Sequence, residues 1–415
     1  MLATVLLVIA VVHSFFIKQF QHWAKKFRQG SVGENFFHLM GEIEVAFGLW
    51  AAVFISLSIG IKGYDKTVRF LEARDFTEPS FIFVIMALCS TKPILDAAEN
   101  AILWIAHRLP FDRPVSFYLS IMFLGPLLGS FITEPAAMTV TALLLLKHFY
   151  SGEFSTQFKY ATMAVLFINV SVGGTLTPYA APPVLMVADA WGLDLQYMFM
   201  HFGLKGMLVC FMTATLTILR FRKEIVSHPI QHSSKGMTPL WLQAIHIFFL
   251  ILIVILSHHM VLFFGVFLVF MAFFQVTSEY QEKLRLREGL LVALFLGSLI
   301  ILSSLQSWWL EPLLAMMSSD ALFVGAMGLS AFTDNAAVTY LGSMIPDLSE
   351  RSQYALLAGA VCGGGLTVIA NAPNPAGFSL LSPAFGDEGA APFRLLKAAI
   401  IPTLIAGITF YVQEF

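Results

Sequence analysis

The sequence predicts an all-α polytopic membrane protein: about ten transmembrane helices plus two re-entrant hairpins, in two inverted-topology repeats. Three observations lead there. Of 415 residues, 58% are hydrophobic and 12% charged, and the mean hydropathy is +0.78. Apolar segments of spanning length recur along the whole chain. Two motifs appear in the same order in each half.

The charged fraction is about half that of a soluble domain, and 40 phenylalanines add apolar surface that only lipid can cover. A water-soluble enzyme is excluded. The balance of 24 basic and 26 acidic residues leaves no basic face for nucleic acid. Cys89, Cys210 and Cys362 stand apart in apolar stretches, without the spacing of a disulfide framework or a zinc site.

Met1–Ile17 has no positive leader and is followed by Lys18, Lys25, Lys26 and Arg28. A cleavable signal has the opposite polarity, so this reads as a first span with its N-terminus outside. Spanning segments lie at roughly 2–17, 37–61, 79–106, 157–190, 198–220, 240–257, 260–277, 289–307, 353–384 and 392–412. Regions 115–149 and 309–345 are interrupted at Thr133-Glu134-Pro135 and Thr333-Asp334-Asn335. Read as hairpins, they leave the basic loops 18–36, 220–239 and 278–288 all in the cytoplasm, as the positive-inside rule asks. Loop 62–78 then lies outside despite Lys62, Lys66, Arg69 and Arg74. Both termini are expected outside, in a bacterial inner (plasma) membrane.

The pattern S-x-x-T-[DE]-x-A-A-x-T occurs at Ser130–Thr139 and again at Ser330–Thr339. Gly173-Gly174-Thr175-Leu176-Thr177 is echoed by Gly363-Gly364-Gly365-Leu366-Thr367. Two motifs in one order indicate duplication. The halves are residues 1–222, with hairpin 115–149 entering from the cytoplasm, and 240–415, with hairpin 309–345 entering from outside. A polar cytoplasmic linker, 223–239, joins them. Five spans per half turn the second half upside down, the plan of secondary transporters. Glycines and the prolines 178, 182, 183, 373 and 375 permit unwinding inside a span, which lipid tolerates only where backbone lines a buried or wet cavity. Carbonyls, the hydroxyls of Thr133, Thr333, Thr175, Thr177 and Thr367, and the amides of Asn335, Asn371 and Asn374 make an oxygen-rich cage suited to a small hard cation. Half-helix N-termini would equally accept an anion.

Hairpin tips of this pattern, each followed by a span broken at G-G-x-L-T, resemble the ion transporter superfamily. That group holds NhaD-type and NhaB-type sodium/proton antiporters, arsenite permeases and divalent anion/sodium symporters. The stretch ending at Asp334-Asn335 is most similar to the NhaD-type antiporters and a related family of bacterial sodium/proton antiporters. The resemblance covers about 79–220 and 289–412. It implies two scaffold domains around a core of hairpins and broken spans, and in many members a homodimer. Dicarboxylate symporters carry neutral tips, whereas Glu134 and Asp334 would repel a dianion.

A sodium-type site is therefore expected at Glu134, Asp334 and the two glycine breaks, Gly173–Thr177 and Gly363–Thr367. The cargo is sodium or a similar monovalent cation, exchanged for protons; no cofactor is implied, and the expected partners are lipid, the transported ions and, from the resemblance, a second copy of the chain. Ionisable groups at mid-bilayer are usually functional, though each acid also precedes an Ala-Ala run that it would cap. Glu42 and Glu44 in the second span, and Asp96 and Glu99 in the third, are candidates for a proton path. Glu42 and Glu44 are two apart on a helix and face different ways. Lys92 and Asp96, at i,i+4, have the spacing of a structural pair. Asn169 lies in an N-x-S sequon set in an apolar span, where a glycan is not expected. His228 and His232 are separated by the helix-breaking Pro229 and read as loop residues. No HExxH, GxSxG or GxxxxGK is present, so protease, serine hydrolase and ATP-driven pump lack their chemistry. Two alternatives to cation/proton antiport stay open: sodium- or proton-coupled anion transport on the same fold, and a passive ion channel.

Overall fold

The computed structural model describes residues 1–415 except 151–153, 179, 228–237, 285, 307, 310–311, 314–315, 344, 346–347, 387–388 and 413–415. His228, His232 and most of the linker therefore lie outside the described residues, as does the side chain of Glu44. The described chain is helical and contains no strand. Among the described residues, four helices are long and apolar enough to cross a membrane: Val45–Lys62, Arg113–Phe131, Leu195–Ser227 and Pro392–Val412. A fifth is added if Pro79–Cys89 and Lys92–Ala106, bent by 73°, form one span. Four of the other expected spans carry shorter apolar helices, Leu2–His13, Leu240–Ile255, Met260–Val276 and Gly289–Ser303.

We label the helices α1 (Leu2–Phe15), α2 (Ile17–Ala24), α3 (Val32–Met40), α4 (Ile43–Lys62), α5 (Tyr64–Glu72), α6 (Thr77–Cys89), α7 (Lys92–Ala106), α8 (Arg113–Ile132), α9 (Glu134–Leu145), α10 (Thr156–Gly173), α11 (Pro182–Trp191), α12 (Leu195–Met198) and α13 (Leu204–Ser227). The second half holds α14 (Leu240–Ile255), α15 (Met260–Val276), α16 (Leu286–Ser303), α17 (Ser319–Leu329), α18 (Asn335–Ser343), α19 (Glu350–Gly363), α20 (Asn374–Leu381) and α21 (Pro392–Val412).

Helices α1, α4, α6 and α16 pack side by side, with Phe47 and Phe295 in edge contact at 4.8 Å. Their packing joins the two halves into one apolar layer. Within the core, α8 and α9 fold back on each other about Thr133. A Cβ on Gly129 would lie 3.4 Å from Ala137, and one on Gly125 would lie 2.4 Å from the Thr141 hydroxyl. These partners are equidistant from residue 133, the signature of an antiparallel helical hairpin rather than one broken rod. The first arm has 20 residues, about 30 Å of helix, longer than a half-membrane arm needs. In the second half α17 lies chiefly along α19 and α18 leans away onto α11, so that hairpin is more open.

Both sequence breaks are structural breaks. Helix α10 ends at Gly173, tightens into a 3-10 turn over Gly174–Leu176 and restarts as α11 at Pro182. Helix α19 ends at Gly363, and α20 begins only at Asn374. Each second hairpin arm then lies against the far half of the other repeat's broken span, α9 on α20 and α18 on α11.

A candidate cation site where hairpin tips meet broken helices

Glycine lets the two broken spans cross at their breaks. The Ser171 hydroxyl donates to the Val361 carbonyl at 2.8 Å. A Cβ on Gly364 would sit 2.3 Å from that hydroxyl, and one on Gly365 would meet the backbone nitrogen of Ile168 at 2.6 Å. Any larger residue would push the helices apart.

Threonine and serine then clamp each tip onto its break. In the first half, Ser130 Oγ donates to the Gly173 carbonyl at 2.7 Å and accepts from the Leu176 N–H at 2.9 Å. Thr177 donates its hydroxyl to the Ser130 carbonyl at 2.8 Å. In the second half, Thr367 donates to the Ala331 carbonyl at 3.0 Å. Thr177 and Thr367 thus perform the same mechanical task in the two repeats. Thr175 turns back to the Val172 carbonyl, and Thr333 to that of Leu329.

The two acids differ in their surroundings. Glu134 is wholly buried at the first position of α9 and lies directly over Gly174, where a Cβ would fall 2.3 Å from its Oε1. Its Oε2 accepts from Asn371 Nδ2 at 2.9 Å, a contact between the first hairpin and the second broken span. Asp334 instead precedes α18 and accepts the Ala336 N–H on Oδ1 at 2.8 Å, a helix-capping geometry. Aligned by sequence, Glu134 matches Asp334. Aligned by helix start, Glu134 matches Asn335, whose amide faces Gly364 as Glu134 faces Gly174. The tips are nonetheless tied to one segment, because the Asn335 N–H donates to the Ala370 carbonyl at 3.0 Å, next to Asn371. Asn374 closes that segment by donating to the carbonyls of Gly364 and Thr367 at 2.6 and 2.8 Å.

Several polar atoms at the junction are left over. Among the described residues, Asp334 Oδ2, Asn335 Oδ1 and Nδ2, Asn371 Oδ1, Asn374 Oδ1 and Thr133 Oγ1 are buried with no hydrogen-bond partner. Leaving a buried acceptor unmatched costs about 1–3 kcal/mol, so a group of them at one junction calls for a positively charged or water ligand. Thr133 adds strain. Its φ is +83°, which no other described non-glycine residue shares, and for a β-branched residue such a conformation costs about 1–3 kcal/mol.

The proton-path candidates scatter. Glu42 accepts from Arg287 at 2.7 Å in a partly exposed pair that fastens the start of α4 to α16. Asp96 accepts from the Thr238 N–H and hydroxyl, both at 3.0 Å, and so fixes the entry to α14. Glu99 is buried between Lys147 and His148, far along α9 from Glu134. The sequon residue Asn169 is fully buried, donating to the Met122 carbonyl at 2.9 Å and accepting the Thr213 hydroxyl at 2.7 Å.

Sequence reasoning passed over Lys205. It is 4% exposed and donates to the Tyr354 hydroxyl at 2.8 Å, which in turn donates to the Phe410 carbonyl. A lone lysine in the apolar run Phe202–Gly206 was the available signal. Ser171, which joins the two broken spans, had none, since a serine in a helix is commonplace.

The model of the family described as "Putative Na+/H+ antiporter" matches residues 1–413. No curated protein matches the sequence. The chain belongs to that family, whose description is that of a transporter, and with its apolar helices it is an integral membrane protein.

Proposed function

Taking membership of a sodium/proton antiporter family as premise, we propose that this chain exchanges sodium, or a similar monovalent cation, for protons by secondary active transport. The observation that carries the reading is the junction of Glu134, Asn371 and Asp334-Asn335 with its unmatched buried oxygens. Glu134 is the principal proton carrier. Asp334 supplies the second carboxylate, while Thr133, Asn335, Asn371 and Asn374 complete the oxygen shell. Sodium and proton compete for the same carboxylates, so the cation leaves only as a proton replaces it. The cation cannot be stabilised beside a neutral acid in so dry a setting, which couples the two fluxes.

The clamps at Ser130–Thr177 and Ala331–Thr367 support tips that move with their breaks as units. Ten spans in two inverted repeats, the hairpins entering from opposite faces, would let one unit rock past the other while the site stays at mid-membrane. Both termini lie outside in this arrangement, in a bacterial inner membrane. Dimerisation through a scaffold layer fits the same scheme.

Reconstitution into liposomes under an imposed pH gradient tests the function. Exchange dissipates the gradient when sodium is added and not when an impermeant cation replaces it. Dissipation that needs an added anion would favour the anion transporter, and dissipation with no counter-ion a channel.

A further inference from the structure

At the opposite end of α9 from Glu134, the helix widens into a π turn over Leu146–Tyr150. Consecutive residues on an α-helix diverge by about 100°; the wider turn narrows that angle and presents Lys147 and His148 to one acid. Lys147 Nζ lies 2.5 Å from Glu99 Oε2, and His148 Nε2 lies 2.9 Å from Glu99 Oε1. The His148 side chain has no solvent exposure. Its second ring nitrogen, Nδ1, is buried without a partner among the described residues. With Nε2–H donating to Glu99, Nδ1 carries a bare lone pair, a place for one proton.

We propose that the His148–Glu99 pair is a second proton-binding site, separate from the hairpin junction, which sets the pH range in which α9 is free to move. The proton enters at Nδ1 and leaves an imidazolium against the Glu99 carboxylate, so charge is balanced inside the protein. The part about α9 rests on the antiport reading; the proton-binding part stands alone. All twelve residues of α9 are buried, and its two ends are about 20 Å apart. A change in the hold of α7 on the π turn is therefore delivered to Glu134 through a rigid rod. The groups around the pair have other occupations. Phe117 of α8 stacks edge-on against the imidazole at 4.9 Å. The Tyr118 hydroxyl is with Thr162, that of Tyr150 with the Lys159 carbonyl, and Asp96 with Thr238. Lys147 is the cation that faces Glu99, and it opposes the second positive charge.

Proton uptake by the purified full chain in unbuffered detergent, after a jump from about pH 8 to about pH 5.5, reads the pair without transport. Wild type should take up about one proton more than His148→Gln. Glu99→Gln, which leaves the imidazole but removes its counter-charge, should move that uptake about 1–3 pH units lower. In liposomes, sodium/proton exchange by His148→Gln should lose steepness with pH while keeping its sodium affinity at alkaline pH. Equal uptake by wild type and His148→Gln overturns the proposal. If His148→Gln does not assemble, an uptake curve of Glu99→Gln that superposes on wild type overturns it equally. Absence of sodium-driven proton movement in the wild type would instead refute the antiport reading and leave the uptake result standing.

Discussion

Replacing Asn371 by Leu tests how the carboxylate at the junction is tuned. Leucine keeps the branching and heavy-atom count of asparagine, with two bulkier methyls in place of the amide oxygen and nitrogen, at a site that is 1% exposed. What is lost is the 2.9 Å donation from Nδ2 to Glu134 Oε2, together with the Oδ1 oxygen proposed for the cation shell, whose loss weakens sodium binding at every pH whereas the lost donation also moves the pH profile. A hydrogen bond to a charged group contributes about 1.5–3 kcal/mol. At 1.36 kcal/mol per pH unit, its removal favours the protonated acid by about 1–2 units. The sign follows directly: a carboxylate with one donor fewer holds its proton to higher pH. The pH at which sodium displaces the proton should therefore rise by about 1–2 units, with apparent sodium affinity falling about tenfold per unit below that point. Sodium-driven proton efflux from liposomes, measured across neutral and alkaline pH, reads both quantities. A folded Asn371→Leu protein with a wild-type pH profile would show that Glu134 does not titrate during transport.

Other outcomes follow from the same geometry. Gly174→Ala places a methyl 2.3 Å from Glu134 Oε1 and should abolish exchange, whereas Gly60→Ala, which meets nothing within 4 Å, should leave it intact. Thr177→Val and Thr367→Val each remove one clamp bond and should cost about 0.5–1.5 kcal/mol, read as a lower unfolding temperature in detergent. Their sodium affinity should change less than that of Asn371→Leu, because these hydroxyls already serve the backbone. Cysteines replacing Lys26 and Asp65 should react with impermeant reagents from the cytoplasm and from outside, respectively; the reverse pattern would overturn the orientation.

Composition exposed the membrane setting, because lipid-facing surface needs no partner and is written residue by residue. The two breaks were equally legible, since only glycine and proline permit them and both occur at Gly173-Gly174 and Gly363–Gly365. The S-x-x-T-[DE] tips were visible as a repeat, but the one-residue offset between them was not. Whether an acid caps a helix or begins it depends on where the chain turns, and that is set by Thr133 with its left-handed φ. Thr177 and Thr367 show a second limit. Their position at the breaks suggested cation ligands; that each hydroxyl also donates to a carbonyl of its own tip is a role no local pattern displays. The His148–Glu99 pair brings together residues 49 apart in sequence, and no local pattern encodes such a contact.

The claim that sodium and proton compete for the hairpin carboxylates is tested most directly by adding sodium to the purified protein in weakly buffered detergent and counting the protons released. Wild type should release protons in step with sodium occupancy, and the Glu134→Gln, Asp334→Asn double variant should release none. Sodium-dependent release of the same size from the double variant would contradict the assignment and place the exchanged proton elsewhere in the protein.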